Sequence, residues 1–143
     1  NKGFTKKIVV AGGGNVGCLA TIKKEKSFIV INRWIENVEI STLIRNCHIV
    51  VCPYLSSSQT GITQTVFNIA TKVPAFTTTI EDEKTGLLVD INDVEMFANA
   101  IIRSYEDVTL YTKMCNRVRS LRLNTKLMWK DIVMKYVQSY ING

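Results

Sequence analysis

Short apolar runs alternate with polar and amphipathic stretches along the chain. The apolar runs end at glycine, proline or polar turns, which is typical of strands buried in a parallel sheet. They predict five strands, at residues 8–11, 27–32, 48–52, 75–78 and 87–89. Strands that alternate with helices indicate a sheet covered on both faces. The pattern therefore predicts an α/β fold with a Rossmann-like parallel sheet, helices on both of its faces, and further helices at the C-terminus.

Apolar residues at helical spacing predict the helices between and after these strands. A short polar helix reaches Lys26, and Asn37 is a suitable N-cap for the next helix. Asn92 and Glu95, three residues apart, resemble a capping box. Pro74 is predicted to end a helix of residues 62–72, because the residue before a proline avoids helical geometry. Two C-terminal helices are predicted at 108–121 and 129–140, and the helix before them is expected to bury Phe97, Ala98, Ile101, Ile102 and Tyr105.

Residues 48–74 combine a buried strand, a polar loop at 56–61 and a helix start. Exposed N–H groups and the helix dipole favour an anion at such a place. This order predicts a loop that holds the phosphates of a nucleotide-linked ligand. Ligands of parallel sheets lie beyond the carboxyl ends of the strands. The glycine run at Gly12, the turn at 33–35 and the loop at 56–61 are therefore expected to converge on one cleft.

Composition narrows the class of protein. The 143 residues carry a net charge of +6, with cations scattered along helical stretches, so nucleic acid is not a predicted partner. Four cysteines without CxxC spacing and a single histidine predict no metal site and are typical of reduced core thiols in a cytoplasmic protein. No apolar run approaches the roughly 20 residues that cross a bilayer. The chain is expected to form a single domain, 1–143, and to be a fragment of a larger protein.

The segment from Gly12 to Gly17 satisfies the dinucleotide pattern G-x-G-x-x-G directly after a strand. Glycines there let the backbone approach a pyrophosphate. The second strand ends in Asn32 and Arg33 without an acidic residue for a ribose, although Arg33 could suit a 2′-phosphate. An NAD(P)-binding Rossmann module is therefore a second hypothesis.

From Phe28 to its end the chain resembles the C-terminal half of family 4 glycosyltransferases, which are retaining enzymes of the GT-B fold. Residues 46–53, NCHIVVCP, are similar to the family's A-A-D-I-V-V-L-P strand. Residues 59–61, QTG, resemble its donor-phosphate loop, and residues 80–89, IEDEKTGLLV, resemble V-E-D-G-K-T-G-L-L-V.

The resemblance implies the nucleotide-sugar-binding C-terminal domain of a GT-B enzyme. Such a domain binds a nucleoside-diphosphate sugar as substrate, without a cofactor, for retaining transfer to a glycan or lipid-linked acceptor in polysaccharide biosynthesis. The acceptor would be held by an N-terminal domain that this chain lacks, and this fragment alone is expected to be inactive. Peripheral association of the full-length enzyme with the cytoplasmic membrane face is expected. The implied donor-binding residues are Arg33, Trp34, Ile35, Ser58, Gln59, Thr60, Gly61, Ile62 and Thr63.

The chain departs from the family at two acidic positions. Family members often carry two glutamates eight residues apart near the donor. Counting back from Pro74, the preferred anchor, places Gln59 and Phe67 there. Anchoring on Gly61 instead places Ser58 and Val66 there. The catalytic residue is therefore unassigned, with Gln59 at the first position. A non-catalytic remnant of the fold that serves interaction is the third hypothesis.

Overall fold

In the computed structural model, which describes residues 6–14, 17–57 and 68–141, helices alternate with parallel strands. The chain divides into two units, Asn1–Asn46 and Cys47–Gly143. The parallel α/β architecture predicted from the sequence is confirmed. Each unit has its own sheet.

The first unit contains a two-stranded parallel sheet. Strand β1, Ile8–Ala11, pairs with β2, Phe28–Ile31, so that Ile8 lies opposite Phe28. A four-residue helix α1, Leu19–Ile22, lies between them in the sequence, and helix α2, Asn37–Asn46, follows β2. Both strands predicted for this part of the chain are confirmed.

The second unit contains a three-stranded parallel sheet in the order β3-β4-β5. Its helices α3, α4 and α5 follow β4 and β5, and α5 is the last described element. The bounds are Val50–Cys52 for β3, Asn68–Thr71 for β4, Pro74–Thr77 for α3, Gly86–Val89 for β5, Val94–Glu106 for α4 and Val108–Ile141 for α5.

Alternate side chains of this sheet belong to two apolar clusters, one on each face. Ala70 and Phe76 belong to one cluster, in which α3 covers the sheet. Ile69 and Met114 belong to the other, in which α4 and α5 cover the opposite face. Because side chains alternate across a strand, neighbours such as Ile69 and Ala70 enter opposite clusters. Helices therefore lie on both faces of this sheet, as predicted.

Two predicted elements around Pro74 are wrong. Residues 68–71 form a strand rather than the end of a helix, and residues 74–77 form a helix rather than a strand. Val73 is extended, with φ −107° and ψ 157°, and Pro74 starts the helix. Proline suits a first helical turn because its fixed φ is helical and its missing N–H is not needed there. The count that placed Gln59 and Phe67 at the acidic positions assumed that Pro74 ends a helix. Because Pro74 starts a helix instead, that count no longer has a basis.

The C-terminal helices also differ from the sequence prediction. The N-cap of α4 is Asp93, whose carboxylate accepts the N–H of Met96 at 2.8 Å, whereas Asn92 has a left-handed backbone with φ 67°. Ala98 is exposed, not buried. The two helices predicted after residue 108 are one helix of 34 residues, in which no proline or glycine interrupts the backbone. Among the described residues, no helix is long and apolar enough to cross a membrane.

Candidate functional site

The glycine turn after β1 lies against the chain that leaves β2. Gly12 has φ +144°, which only glycine adopts readily, and its N–H donates to the carbonyl of Ile31 at 3.1 Å. The N–H of Gly14 donates to Oδ1 of Asn32 at 3.2 Å. A Cβ on Gly13 would lie 3.4 Å from the carbonyl carbon of Arg33. In the described part of this run, the backbone conformation of Gly12 requires glycine, whereas a Cβ on Gly13 or Gly14 would fit.

The turn after β2 is held by a bidentate ion pair between Arg33 and Glu39. The Arg33 guanidinium donates through Nη1 to Oε2 at 2.9 Å and through Nη2 to Oε1 at 2.5 Å, and its Nη1 also donates to the carbonyl of Trp34 at 3.0 Å. The backbone N–H of Glu36 donates to Glu39 Oε2 at 3.1 Å. Charge-assisted pairs of this planar geometry are among the stronger hydrogen bonds.

These contacts set the charge of the turn. The hydrogen bonds from Arg33, followed by the N–H of Glu36, lower the pKa of Glu39 to about 2. The same hydrogen bond, with the negative charge of Glu39, raises the pKa of Arg33. The guanidinium is therefore already matched by a carboxylate, which weakens its fit to a 2′-phosphate.

The predicted turn residues differ in exposure. The Trp34 side chain is 79% exposed, whereas Ile35 is half-buried. A large exposed aromatic surface beside a rigid turn can stack on the face of a planar ring without a further conformational change. Arg33 thus shapes the turn, and Trp34 is its accessible apolar surface.

In the second unit, the loop after β3 is fixed by three contacts at the carboxyl end of the sheet. The hydroxyl of Thr71 donates to the carbonyl of Tyr54 at 2.5 Å. The Tyr54 ring lies 5.3 Å from the Phe76 ring, centroid to centroid. The N–H of Ala75 donates to the carbonyl of Ser57 at 3.1 Å. The chain is thus held in place up to Ser57, which lies within the predicted loop at 56–61 and directly precedes the predicted donor-binding residues that start at Ser58.

A second ion pair lies at the same edge, where β4 and β5 end. Lys72 Nζ lies 2.8 Å from Asp90 Oδ1, and the N–H of Lys72 donates to the carbonyl of Val89. Lys72, Tyr54 and Thr71 are not among the site residues predicted from the sequence. Their contacts depend on a strand at 68–71, where the sequence pattern predicts a helix.

The predicted donor-loop residues Ser58, Gln59, Thr60, Gly61, Ile62 and Thr63 lie outside the described residues. Their assignment, and the convergence of the three loops on one cleft, stay predictions. Within residues 6–14, 17–57 and 68–141, no group of three or more His, Cys, Asp or Glu side chains is arranged to hold a metal ion.

The segment at 80–89, which carries much of the sequence resemblance, consists of a turn that leads into strand β5. Thr85 Oγ1 accepts the N–H of Glu81 at 2.8 Å, and Asp82 Oδ1 accepts the N–H of Leu88 at 2.9 Å. A Cβ on Gly86 would lie 2.6 Å from the carbonyl oxygen of Asn68 in β4. These residue types are therefore needed to close the turn and to bring β5 against β4.

The contacts of His48 and of the buried thiol Cys52 indicate that both residues have structural roles. The carbonyl of His48 accepts the Tyr111 hydroxyl at 3.0 Å, and its ring lies 5.7 Å from the Tyr105 ring. Burial raises the pKa of Tyr111 to about 12, helped by its hydrogen bond with Cys115. Burial also raises the pKa of Cys52 to about 11, which keeps it a protonated apolar residue.

Comparisons with known proteins agree with this fold. The family model of the glycosyl transferases, group 1, matches residues 2–107. Among solved structures, the C-terminal domain of the glycosyl transferase group 1 family protein LpcC from Francisella tularensis has a TM-score of 0.64 at 23% identity, covering 82% of this chain and 68% of that one. At this identity the likeness is one of fold, and it confirms the predicted α/β domain. A comparison with curated proteins finds no match. Because the family model spans well over half of the sequence, the chain belongs to the group 1 glycosyl transferases.

Proposed function

We propose that this chain is the donor-binding domain of a retaining family 4 glycosyltransferase of the GT-B fold. It binds a nucleoside-diphosphate sugar, and the glycosyl group passes to a glycan or lipid-linked acceptor held by an N-terminal domain. The donor is a substrate, and no separate cofactor takes part. The enzyme serves polysaccharide biosynthesis in the cytoplasm, at the membrane face. The observation that carries this proposal is the family match over residues 2–107.

Two pieces of local geometry support donor binding. In the first unit, the Arg33–Glu39 ion pair holds the turn that presents Trp34, 79% exposed, as a stacking surface for the nucleobase. In the second unit, the hydrogen bond between Ala75 and Ser57 fixes the start of the loop proposed to bind the diphosphate. A preorganised loop loses less conformational freedom on binding.

The donor loop supplies the remaining contacts of the proposal. Backbone N–H groups of Thr60, Gly61, Ile62 and Thr63, together with the two threonine hydroxyls, bind the two phosphates. The Gln59 amide donates to a sugar hydroxyl. A few charge-assisted bonds of about 1.5–3 kcal/mol each suffice for micromolar affinity. Because an amide cannot act as a carboxylate, Gln59 is a binding residue in this scheme.

Calorimetric titration of the chain with UDP, GDP and NADPH tests the proposal. We expect UDP or GDP to bind and NADPH to bind more weakly. Replacing Trp34 by alanine should weaken binding of the favoured nucleotide by about 5- to 150-fold, because stacking of a base on an aromatic ring contributes roughly 1–3 kcal/mol. Trp34→Phe should keep most of the affinity.

Val94→Ala is the matched control, since Val94 is also 79% exposed but lies on helix α4 in the other unit. It should leave nucleotide affinity unchanged. Binding of NADPH in preference to UDP and GDP, or of no nucleotide at all, would contradict the proposed function. If Trp34→Ala and Val94→Ala changed nucleotide affinity equally, that result would contradict the role of Trp34 but not the proposed function.

A further inference from the structure

Helix α5 continues well past the sheet that its first part covers. Met114 and Val118, which are 0% and 7% exposed, mark its packed side. Further along, Leu123 is 64% exposed, and three apolar side chains near the end are 44–54% exposed. Seven exposed residues that share one side of the helix are called the α5 stripe below, namely Arg119, Arg122, Leu123, Lys130, Val133, Met134 and Val137.

The members of the α5 stripe share one side of the helix. Counted from Arg119, they fall at spacings of 3, 4, 11, 14, 15 and 18 residues. At about 100° and 1.5 Å per residue, these positions cover an arc of roughly 120° and a length of about 27 Å. The centre of this arc lies roughly 120° around the axis from Met114 and Val118, so the stripe is separate from the packed side.

The charge of α5 is strongly one-sided. The helix has seven Lys and Arg residues and a single acidic residue, Asp131. Asp131 lies about 120° from the centre of the stripe, outside its arc. The three cations of the stripe, Arg119, Arg122 and Lys130, therefore share their arc with apolar side chains and no carboxylate.

This combination of side chains favours one kind of partner. Exposed Leu, Val and Met side chains gain free energy when they enter the boundary between headgroups and acyl chains, while Lys and Arg keep their charges at the level of anionic headgroups. A nucleic-acid backbone would use the cations and leave the four apolar side chains in water.

We propose that the α5 stripe is a docking surface for an anionic lipid bilayer, on which the helix lies in the plane of the headgroups. This proposal rests on the membrane location in the proposed function and names the surface that would provide it. It stands on the described side chains of α5 and does not depend on which nucleotide the chain binds. The α5 stripe is about 27 Å long and lies along the bilayer surface, so the helix does not cross the bilayer.

Sedimentation of the chain with vesicles tests this surface. We expect binding to vesicles of equal parts phosphatidylcholine and phosphatidylserine, little binding to pure phosphatidylcholine, and weakening as salt rises. The triple variant Arg119→Gln, Arg122→Gln, Lys130→Gln should lose roughly a hundredfold in partitioning, because each cation near an anionic surface contributes about fivefold. Leu123→Ser with Val137→Ser should also weaken binding at constant charge.

The triple variant Lys23→Gln, Lys24→Gln, Lys26→Gln removes the same charge from exposed positions of the first unit and should change partitioning less than twofold. Far-UV circular dichroism of each variant checks that helix content is kept. Equal loss in both triple variants would overturn the proposal, because binding would then follow net charge. Tighter binding to a DNA duplex than to the anionic vesicles at the same salt would also overturn it, as would no vesicle binding.

Discussion

Replacing Gly86 by alanine should destabilise the second unit by forcing β4 and β5 apart. A Cβ at this position would lie 2.6 Å from the carbonyl oxygen of Asn68 and 2.9 Å from Cγ2 of Ile80. Asn68 is the register partner of Gly86 in the parallel ladder. The Ile80 side chain can shift, whereas the Asn68 carbonyl belongs to a central strand with neighbours on both sides.

The magnitude follows from three opposing effects. Overpacking in a close-packed interior costs about 1–3 kcal/mol. Loosening the ladder weakens at least one hydrogen bond, at about 1 kcal/mol. Alanine regains about 0.4–1 kcal/mol because it restricts the unfolded chain. We expect Gly86→Ala to lower the free energy of unfolding by about 2 kcal/mol and Tm by roughly 5–10 °C.

Urea unfolding followed by far-UV circular dichroism measures this loss. Gly14→Ala is the matched control, because a Cβ there meets nothing within 4 Å and its φ is not left-handed. It should be neutral or slightly stabilising. Adding Ile80→Val to Gly86→Ala should restore little, since the closer contact is with backbone. Full restoration by Ile80→Val, or equal midpoints for Gly86→Ala and Gly14→Ala, would refute the reasoning.

Three further predictions follow from contacts within the two units. Phe76→Ala should cost about 3–5 kcal/mol in the free energy of unfolding, because its ring is 0% exposed, whereas Phe76→Leu should cost much less. Carboxyl NMR of Glu39 should show a titration midpoint near pH 2. Because the folded pKa of Glu39 lies below its unfolded pKa, the stabilisation of the fold by Arg33 is complete above about pH 4.5 and is lost as the pH falls towards 2. A midpoint near 4.5 would show that the ion pair does not persist in solution. Thr71→Val should speed amide exchange at 54–57, whereas Thr71→Ser, which keeps the hydroxyl donated to Tyr54, should not.

The elements that can be read from the sequence are those whose own residues satisfy the local rule. Strands β1, β2 and β5 are continuous apolar runs bounded by turn residues, and α4 has an apolar stripe at helical spacing. The turn at 81–86 follows from its charged residues and Gly86. For these segments, local preference and burial agree, so pattern and structure coincide.

The segment around Pro74 needs the tertiary structure. Asn68, Ile69, Ala70 and Thr71 have no strong strand pattern, yet all four are buried because they form the central strand between β3 and β5. Burial in a sheet overrides weak local preference. The apolar spacing of residues 62–70 could not show this, and neither could Pro74, which is compatible with the end of one helix or the start of another.

Some features of the candidate site can likewise be predicted from the sequence, and others depend on the tertiary structure. The sequence by itself determined the α/β class, the turn at Arg33, Trp34 and Ile35, and the resemblance to a glycosyltransferase, because these depend on apolar period and local motifs. Only the tertiary structure decided that Glu39 neutralises Arg33 and that Ala75 and Thr71 hold the loop before Ser58. Such contacts join residues that are distant in sequence or on different elements, and hydrogen-bond geometry is set by where packing places each backbone, which no local pattern encodes.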